Sequence, residues 1–191
     1  MRIILASQSP RRQSILKDAG IEFETIPSMF DESSILPTTK EDFVMKLSYH
    51  KAKEVLQKNQ DALVIGADTI VYLKDDVKEY YLGKPKDKDH AKEMLSSLSG
   101  RTHQVLTGVT VMTKNHQEIF YTQSNVTFKN LSELEIDAYI ETKEPFDKAG
   151  AYAIQGEGHQ LVSTYDGDFF TIMGLPIKEV IKAIKKIKIS N

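Results

Sequence analysis

The sequence predicts a mixed α/β fold, in which helices pack on the faces of one sheet of mixed strand direction. Three observations support this prediction: the chain opens with a strand, a polar turn and a helix, amphipathic helices then alternate with apolar runs, and two alternating segments joined by residues 114–117 predict a hairpin. No repeat or linker interrupts the 191 residues. We therefore expect a single domain over residues 1–191.

The opening unit is a strand followed by a capped helix. Residues 3–6 are apolar and predict a buried strand. Ser9 and Pro10 then provide an N-cap and a first-turn proline for a helix that we expect to end near Gly20. Residues 21–26 predict a second strand.

A second helix is predicted after a loop over residues 27–37. Thr39 begins a segment that resembles a capping box. Apolar residues then recur at helical spacing, namely Phe43, Val44, Leu47, Ala52, Val55 and Leu56.

The middle of the chain predicts a central strand interrupted by a turn. Two apolar runs, 62–65 and 70–73, flank the segment 66–69, which we interpret as a functional turn. Asp87 is positioned to cap a further helix that reaches Leu98.

The last part of the chain predicts a helix, two strands and a closing helix. The next helix opens at Ser132. Short strands are predicted over 161–165 and 169–173, joined by a turn at 166–168. The closing helix has one apolar stripe, formed by Ile177, Val180, Ile181 and Ile184.

Composition argues against several classes of partner. The 25 basic and 27 acidic residues give a formal charge of -2, so we expect neither nucleic-acid nor membrane binding. The apolar run at residues 3–6 is too short for a signal peptide or a membrane span, which predicts a cytoplasmic protein. Without cysteine there is no thiolate nucleophile or cysteine-ligated metal.

The segment directly after the first strand predicts an anion site. Ser7, Ser9, Arg11 and Arg12 place two hydroxyls and two guanidiniums at a helix N-terminus with free backbone amides. The alternative is an ordinary capped helix, although the helix dipole disfavours cations there unless an anion is bound. Neither a Walker loop nor a Gly-x-Gly-x-x-Gly motif is present.

Asp68 and Glu32 are the candidate carboxylates. A charged Asp68 between apolar runs is costly unless a cation or hydrogen bonds compensate it, so we interpret it as a metal ligand or general base. The alternative is a structural aspartate bonded to backbone amides of the turn. Glu32 lies in a loop, where a carboxylate is commonly only solvated.

Lysines provide further candidates. Lys51, Lys53 and Lys58 lie on the second helix, where lysines usually form a solvated face, and pattern alone makes Lys53 a weak candidate. Lys84 follows a short strand between glycine and proline, from where its ammonium could reach a phosphate. The segment 147–156 adds Lys148, an aromatic face, and the Gln155 carboxamide, which could read a base edge. The alternative interpretation of this segment is a simple loop and strand without a functional role.

Two other enzyme classes fit poorly. The five histidines show no zinc-site spacing, so hard oxygen ligands favour Mg²⁺ or Mn²⁺ instead. The Asp-Gly-Asp at 166–168 fits a turn better than a phosphatase nucleophile motif.

The motifs together resemble the Maf family of nucleotide pyrophosphatases, over nearly the whole chain. The resembling segments are Ser7-Gln8-Ser9-Pro10-Arg11-Arg12, Asp31-Glu32, Lys51-Ala52-Lys53, Gly66-Ala67-Asp68-Thr69, Leu82-Gly83-Lys84-Pro85, Ser99-Gly100-Arg101-Thr102-His103, Glu144 to Tyr152 with Ile154-Gln155-Gly156, and Gly174-Leu175-Pro176. The resemblance implies hydrolysis of a nucleoside triphosphate to the monophosphate and pyrophosphate, with Asp68 as proton acceptor. It also supports roles for Glu32 and Lys53.

The resemblance also implies substrate choice and architecture. At three positions the chain resembles the branch of the family that acts on dTTP and UTP, and these positions are Arg11, Thr69 and Gln155. A two-lobed body with a central cleft, shared with inosine triphosphate pyrophosphatases, and a possible homodimer are implied.

Our working hypothesis is that Glu32 and Asp68 hold Mg²⁺ or Mn²⁺ on the triphosphate. The cations that would neutralise the phosphoryl and leaving-group charge are Arg11, Arg12, Lys53 and Lys84. The alternative function is a nucleotide-binding regulator of cell division that does not cleave its ligand.

Overall fold

The protein is described by a computed structural model that covers residues 1–190. Its elements are seven strands, six α-helices and short 3₁₀ turns, in the order β1 (Ile3–Leu5), α1 (Pro10–Asp18), β2 (Glu24–Thr25), α2 (Lys40–Gln57), β3 (Leu63–Lys74), β4 (Glu79–Leu82), α3 (Lys88–Leu98), β5 (Thr102–Met112), β6 (Gln117–Phe128), α4 (Glu133–Glu141), β7 (Val162–Asp166), α5 (Phe169–Met173) and α6 (Ile177–Ser190). None of the helices described over 1–190 is long and apolar enough to cross a membrane.

One mixed sheet contains all seven strands, which confirms the predicted fold class. The strand order is β2-β1-β3-β5-β6-β7, and β4 pairs with β3. β1 is parallel to both β2 and β3, whereas β4 is antiparallel to β3 and β7 is antiparallel to β6. Parallel strands at one side and hairpins at the other are the mixture that the sequence predicts.

The predicted helix starts are confirmed by side-chain caps. Ser9, Thr39, Asp87 and Ser132 accept hydrogen bonds from the backbone N–H three residues later, at the starts of α1, α2, α3 and α4. Each cap satisfies a donor that has no partner within its helix. Local sequence therefore determines where these helices begin.

Three predicted elements differ from the structure. The segment 66–69 is not a turn, since β3 runs unbroken through it, with β1 and β5 as its neighbours along the sheet. Residues 169–173 form a helix rather than a strand, because a short apolar run has no period that distinguishes the two. The second strand is limited to Glu24–Thr25.

Contacts group the chain into two compact units. The first unit contains Met1–Asp68, Thr107–Thr122 and the chain from Phe169 onward, and the second contains Thr69–Leu106 and Gln123–Asp168. The single domain that we predicted over 1–191 stays a prediction.

Each unit has its own packed interior. In the first, α2 covers β1 and β3 through a cluster formed by Ile4, Ala6, Ala52, Val55, Leu56, Ala62, Val64 and Met112. In the second, α3 packs against α4, and the rings of His103, Phe128 and Tyr152 meet edge to face. These interiors provide the rigid elements on which the candidate site residues lie.

Candidate active site

The predicted anion site contains a guanidinium held at the start of α1. The Ser7 hydroxyl accepts hydrogen bonds from the Ser9 N–H at 3.2 Å and from Arg12 Nη1 at 3.1 Å. Arg12 Nε donates to the Gly174 carbonyl at 2.8 Å. A guanidinium anchored at two points beside a helix N-terminus is arranged in advance to receive an anion. Arg11 follows Pro10 in the same helical turn.

A lysine joins the two predicted carboxylates. Lys51 Nζ lies 2.7 Å from Glu32 Oε1 and 2.5 Å from Asp68 Oδ1. The Lys51 and Asp68 side chains are 13% and 10% exposed, whereas that of Glu32 is 57% exposed. Glu32 opens a short 3₁₀ turn whose N-cap is Asp31. The Lys51 ammonium therefore bridges one buried carboxylate and one exposed carboxylate.

The groups around Asp68 shift its pKa in opposing directions. Burial is the largest effect and raises the pKa of Asp68 above its ordinary value. The positive charge of Lys51 opposes that rise in pKa, the negative charge of Glu32 adds to it, and Arg12 opposes it more weakly. A carboxylate whose pKa is raised in this way is a better proton acceptor than an exposed one.

A glycine in β3 permits the contact between Lys51 and Asp68. A Cβ placed on Gly66 would lie 2.4 Å from the Ser48 carbonyl oxygen and 2.8 Å from Ala52 Cβ, so α2 approaches β3 more closely than any other residue would allow. Ser48 and Ala52 flank Lys51 on α2, and Gly66 precedes Asp68 by two residues. The close approach thus places the ammonium at the carboxylate.

Lys53 lies on a different face of α2. It is exposed, and its Nζ is 5.3 Å from the centre of the Tyr49 ring. It borders a separate pocket of 360 Å³ between α2 and the turn that links β5 to β6. Since two residues turn a helix by about 200°, the structure brings Lys51, and not Lys53, to the carboxylates. The predicted catalytic role of Lys53 stays a prediction.

Three further candidates lie in the second unit. The Gly150 N–H donates to the Gly83 carbonyl at 3.0 Å, which links the segment that carries Lys84 to the one that carries Lys148. Lys148 pairs with Asp147, and Lys84 and Gln155 are exposed. Their predicted roles remain untested by these contacts.

Thr69 follows Asp68 in β3, and successive side chains of a strand point to opposite faces. The structure therefore places Thr69 on the face of the strand opposite the carboxylate. Its predicted role in substrate choice stays a prediction.

The candidate metal ligands are limited to two carboxylates. Within residues 1–190, no group of three or more aspartate, glutamate or histidine side chains lies close enough together to hold a metal ion. Glu32 and Asp68 provide hard oxygen atoms, which suit Mg²⁺ or Mn²⁺ when substrate phosphates and water supply the remaining ligands. The ammonium between them shows that this position accommodates positive charge.

Known proteins are similar to this chain over nearly its whole length. A family model described as Maf-like protein matches residues 2–187. The chain belongs to the Maf family. Maf relatives from Bacillus anthracis and Bacillus cereus, each named dTTP/UTP pyrophosphatase, are 46% and 45% identical over 188 residues, which is 98% of this chain and 96% of each relative. Among solved structures, the Staphylococcus aureus Ham1 protein matches at 14% identity and a TM-score of 0.46, over 85% of this chain and 80% of that one.

Lys51 is the site residue of this Maf protein that the sequence interpretation missed. The buried residues of α2 fall at Val44, Leu47, Ser48, Ala52, Val55 and Leu56. Lys51 lies within that stripe, whereas Lys53 lies outside it. A lysine inside an apolar stripe needs an anionic partner, and this signal could have identified Lys51.

Proposed function

We propose that this Maf protein hydrolyses dTTP and UTP to the nucleoside monophosphate and pyrophosphate. The observation that carries the proposal is the Lys51 bridge between Glu32 and Asp68, in the same unit as the Arg12 anion site. A buried carboxylate that accepts a proton serves hydrolysis directly, whereas binding of a nucleotide does not require a base. The names of the Bacillus relatives support the choice of dTTP and UTP.

In the proposed reaction, Asp68 accepts a proton from the attacking water. The water oxygen forms a new P–O bond while the anhydride P–O bond between the α- and β-phosphates breaks, and pyrophosphate leaves with the bonding electrons. The raised pKa of Asp68 favours the proton transfer. Arg12 and Lys51 stabilise the charge that develops on the phosphoryl oxygens.

The proposal includes a divalent metal ion bound by Glu32 and Asp68. Bound there, Mg²⁺ or Mn²⁺ would neutralise charge on the triphosphate. Lys51 places a positive charge within ion-pair distance of both carboxylates. Lys51 and the metal ion would therefore both supply positive charge to the Glu32 and Asp68 carboxylates.

Substrate choice is assigned to residues that the family resemblance identifies. Gln155 can both donate and accept a hydrogen bond, which suits the O4 and N3–H edge of uracil and thymine. Arg11 and Thr69 are the other two proposed specificity residues, and Lys84 and Lys148 are proposed to bind phosphate.

A pyrophosphate-release assay over all ribo- and deoxynucleoside triphosphates tests the proposal. With Mg²⁺ or Mn²⁺ present we expect dTTP and UTP to be the fastest substrates, and we expect chelation of the metal to stop turnover. Asp68→Asn keeps the size of the side chain but removes the base, so turnover should fall at least about a hundredfold. Tight nucleotide binding without pyrophosphate release would instead support the regulatory alternative.

A further inference from the structure

Gln155 lies in a segment whose backbone is anchored immediately before it. Tyr139 Oη accepts a hydrogen bond from the Ala153 N–H at 3.2 Å. The Tyr152 hydroxyl is 2.7 Å from His103 Nε2, and both side chains are buried. The chain is therefore fixed up to two residues before the exposed Gln155 side chain.

A second anchor follows Gln155, and it is a carboxylate. Glu144 Oε2 accepts a hydrogen bond from the Glu157 N–H at 2.9 Å. Between them, Gly156 has a φ of +69°, and a Cβ at that position would lie 2.9 Å from Glu144 Oε1. The backbone conformation favours glycine here, and a side chain at this position would displace the Glu144 carboxylate.

Glu144 is itself held in place. Its N–H donates to the Thr142 hydroxyl at 3.2 Å, and Lys148 Nζ donates to its carbonyl at 3.4 Å. The preceding residue, Lys143, has a φ of +62°, which is uncommon for a residue other than glycine. Strained backbone of this kind persists where the surrounding structure over-determines it, and such positions cluster at functional sites.

We propose that Glu144 is a positioning residue that fixes the turn after Gln155 and so orients the Gln155 carboxamide toward the nucleobase. The inference rests on the proposed function, because it assumes that Gln155 reads the base. Recognition of a base by one carboxamide depends on its orientation, since the amide must present its donor and its acceptor in the order that uracil and thymine require and cytosine reverses. Without the anchor at residue 157, the turn loses the hydrogen bond that joins it to the Glu144 carboxylate.

Kinetics of Glu144→Ala and Glu144→Gln with UTP and CTP test this role. We expect Glu144→Ala to raise KM for UTP about tenfold or more, because one charge-assisted hydrogen bond is lost. The preference for UTP over CTP should fall, and kcat should stay within about twofold of the wild-type value. Glu144→Gln should restore most of the preference, because its amide oxygen can accept the same N–H. Glu141→Ala, an exposed position that pairs with Lys88, is the matched control and should behave as the wild type.

A double-mutant cycle with Gln155→Ala separates positioning from a general structural role. If Glu144 acts through Gln155, Glu144→Ala should cause little further loss of selectivity in the Gln155→Ala background. Additive losses, or an equal fall of kcat with both nucleotides and no change in selectivity, would overturn the inference. Failure of the wild-type protein to release pyrophosphate from UTP would contradict the proposed function instead, and the two results are distinguishable.

Discussion

The Lys51 ammonium is shared by two carboxylates, so a change at this residue acts on both. Its positive charge is the main effect that opposes the burial-driven rise in the pKa of Asp68. Lys53 has the same side chain on the same helix, but its Nζ lies 5.3 Å from the centre of the partly buried Tyr49 ring instead. The two lysines therefore form a matched pair for testing which one serves the site.

Replacement of Lys51 by methionine should shift the pH dependence of the reaction. Without the Lys51 charge the pKa of Asp68 rises further, so the acid limb of kcat/KM should move to higher pH. At neutral pH, kcat/KM should fall about tenfold or more, since a hydrogen bond to a charged group is lost. Lys53→Met is the control, and a larger loss in that variant would favour the role predicted for Lys53 over that of Lys51.

Replacement of Asp68 by asparagine should remove activity without lowering stability. The folded-state pKa of Asp68 lies above the unfolded value, so the protein loses free energy of unfolding as the pH rises and Asp68 ionises. Asparagine does not ionise, and Tm at neutral pH should therefore equal or exceed that of the wild type. Calorimetry measures this difference. A fall of several degrees would mean that the Asp68 contacts are structural.

At the scale of elements, the packing of α2 on β3 decides the geometry of the site. Local composition at 66–69 favours a turn, yet the sheet pairing of β3 extends the strand through it. The glycine that suggested a break instead permits a close approach of the helix backbone. The same four residues thus carry the candidate carboxylate, but the glycine among them has a role in packing that the sequence pattern did not reveal.

Gly66→Ala should test this packing. The added Cβ would meet the Ser48 carbonyl, so helix or strand must shift, with an expected loss of about 1–3 kcal/mol in free energy of unfolding. The shift should also separate Lys51 from Asp68 and lower kcat/KM. Urea denaturation and steady-state kinetics measure the two effects. Gly83→Ala is the control for stability, because a Cβ there meets no atom within 4 Å. A Gly66→Ala variant as stable as the wild type would show that the approach of α2 to β3 is not constrained.

At the scale of the whole molecule, one buried histidine should contribute to the loss of stability in acid. His103 is 1% exposed, and burial lowers its pKa to about 3 from an ordinary value of 6.5. The unfolded chain therefore binds a proton below pH 6.5 that the folded protein does not bind. The contribution is fully present above pH 6.5 and is lost as the pH falls from 6.5 toward 3, at up to about 1.4 kcal/mol per pH unit.

His103→Gln should remove that part of the pH dependence. Urea unfolding at several pH values between 6.5 and 4 measures the slope, and comparison in the Asp68→Asn background removes the opposite contribution of Asp68. The slope of the histidine variant should be smaller by about one proton. Equal slopes with and without His103 would show that another group causes the acid sensitivity.

The sequence by itself determined the features that depend on neighbouring residues. Capping residues fixed the starts of four helices, apolar periods identified most elements, and a carboxylate inside an apolar run identified Asp68 as a candidate. These signals are local, because a cap spans three residues and a helical stripe spans a few turns.

Only the tertiary structure decided which residues meet across long separations. Lys51 reaches Glu32 and Asp68 because α2 lies against β3 at Gly66, and the turn after Gln155 closes on Glu144 because residues eleven to thirteen positions apart come together. β3 remains continuous because its neighbours in the sheet extend it against its local composition. Such contacts depend on the packing of whole elements, which no short window of sequence contains.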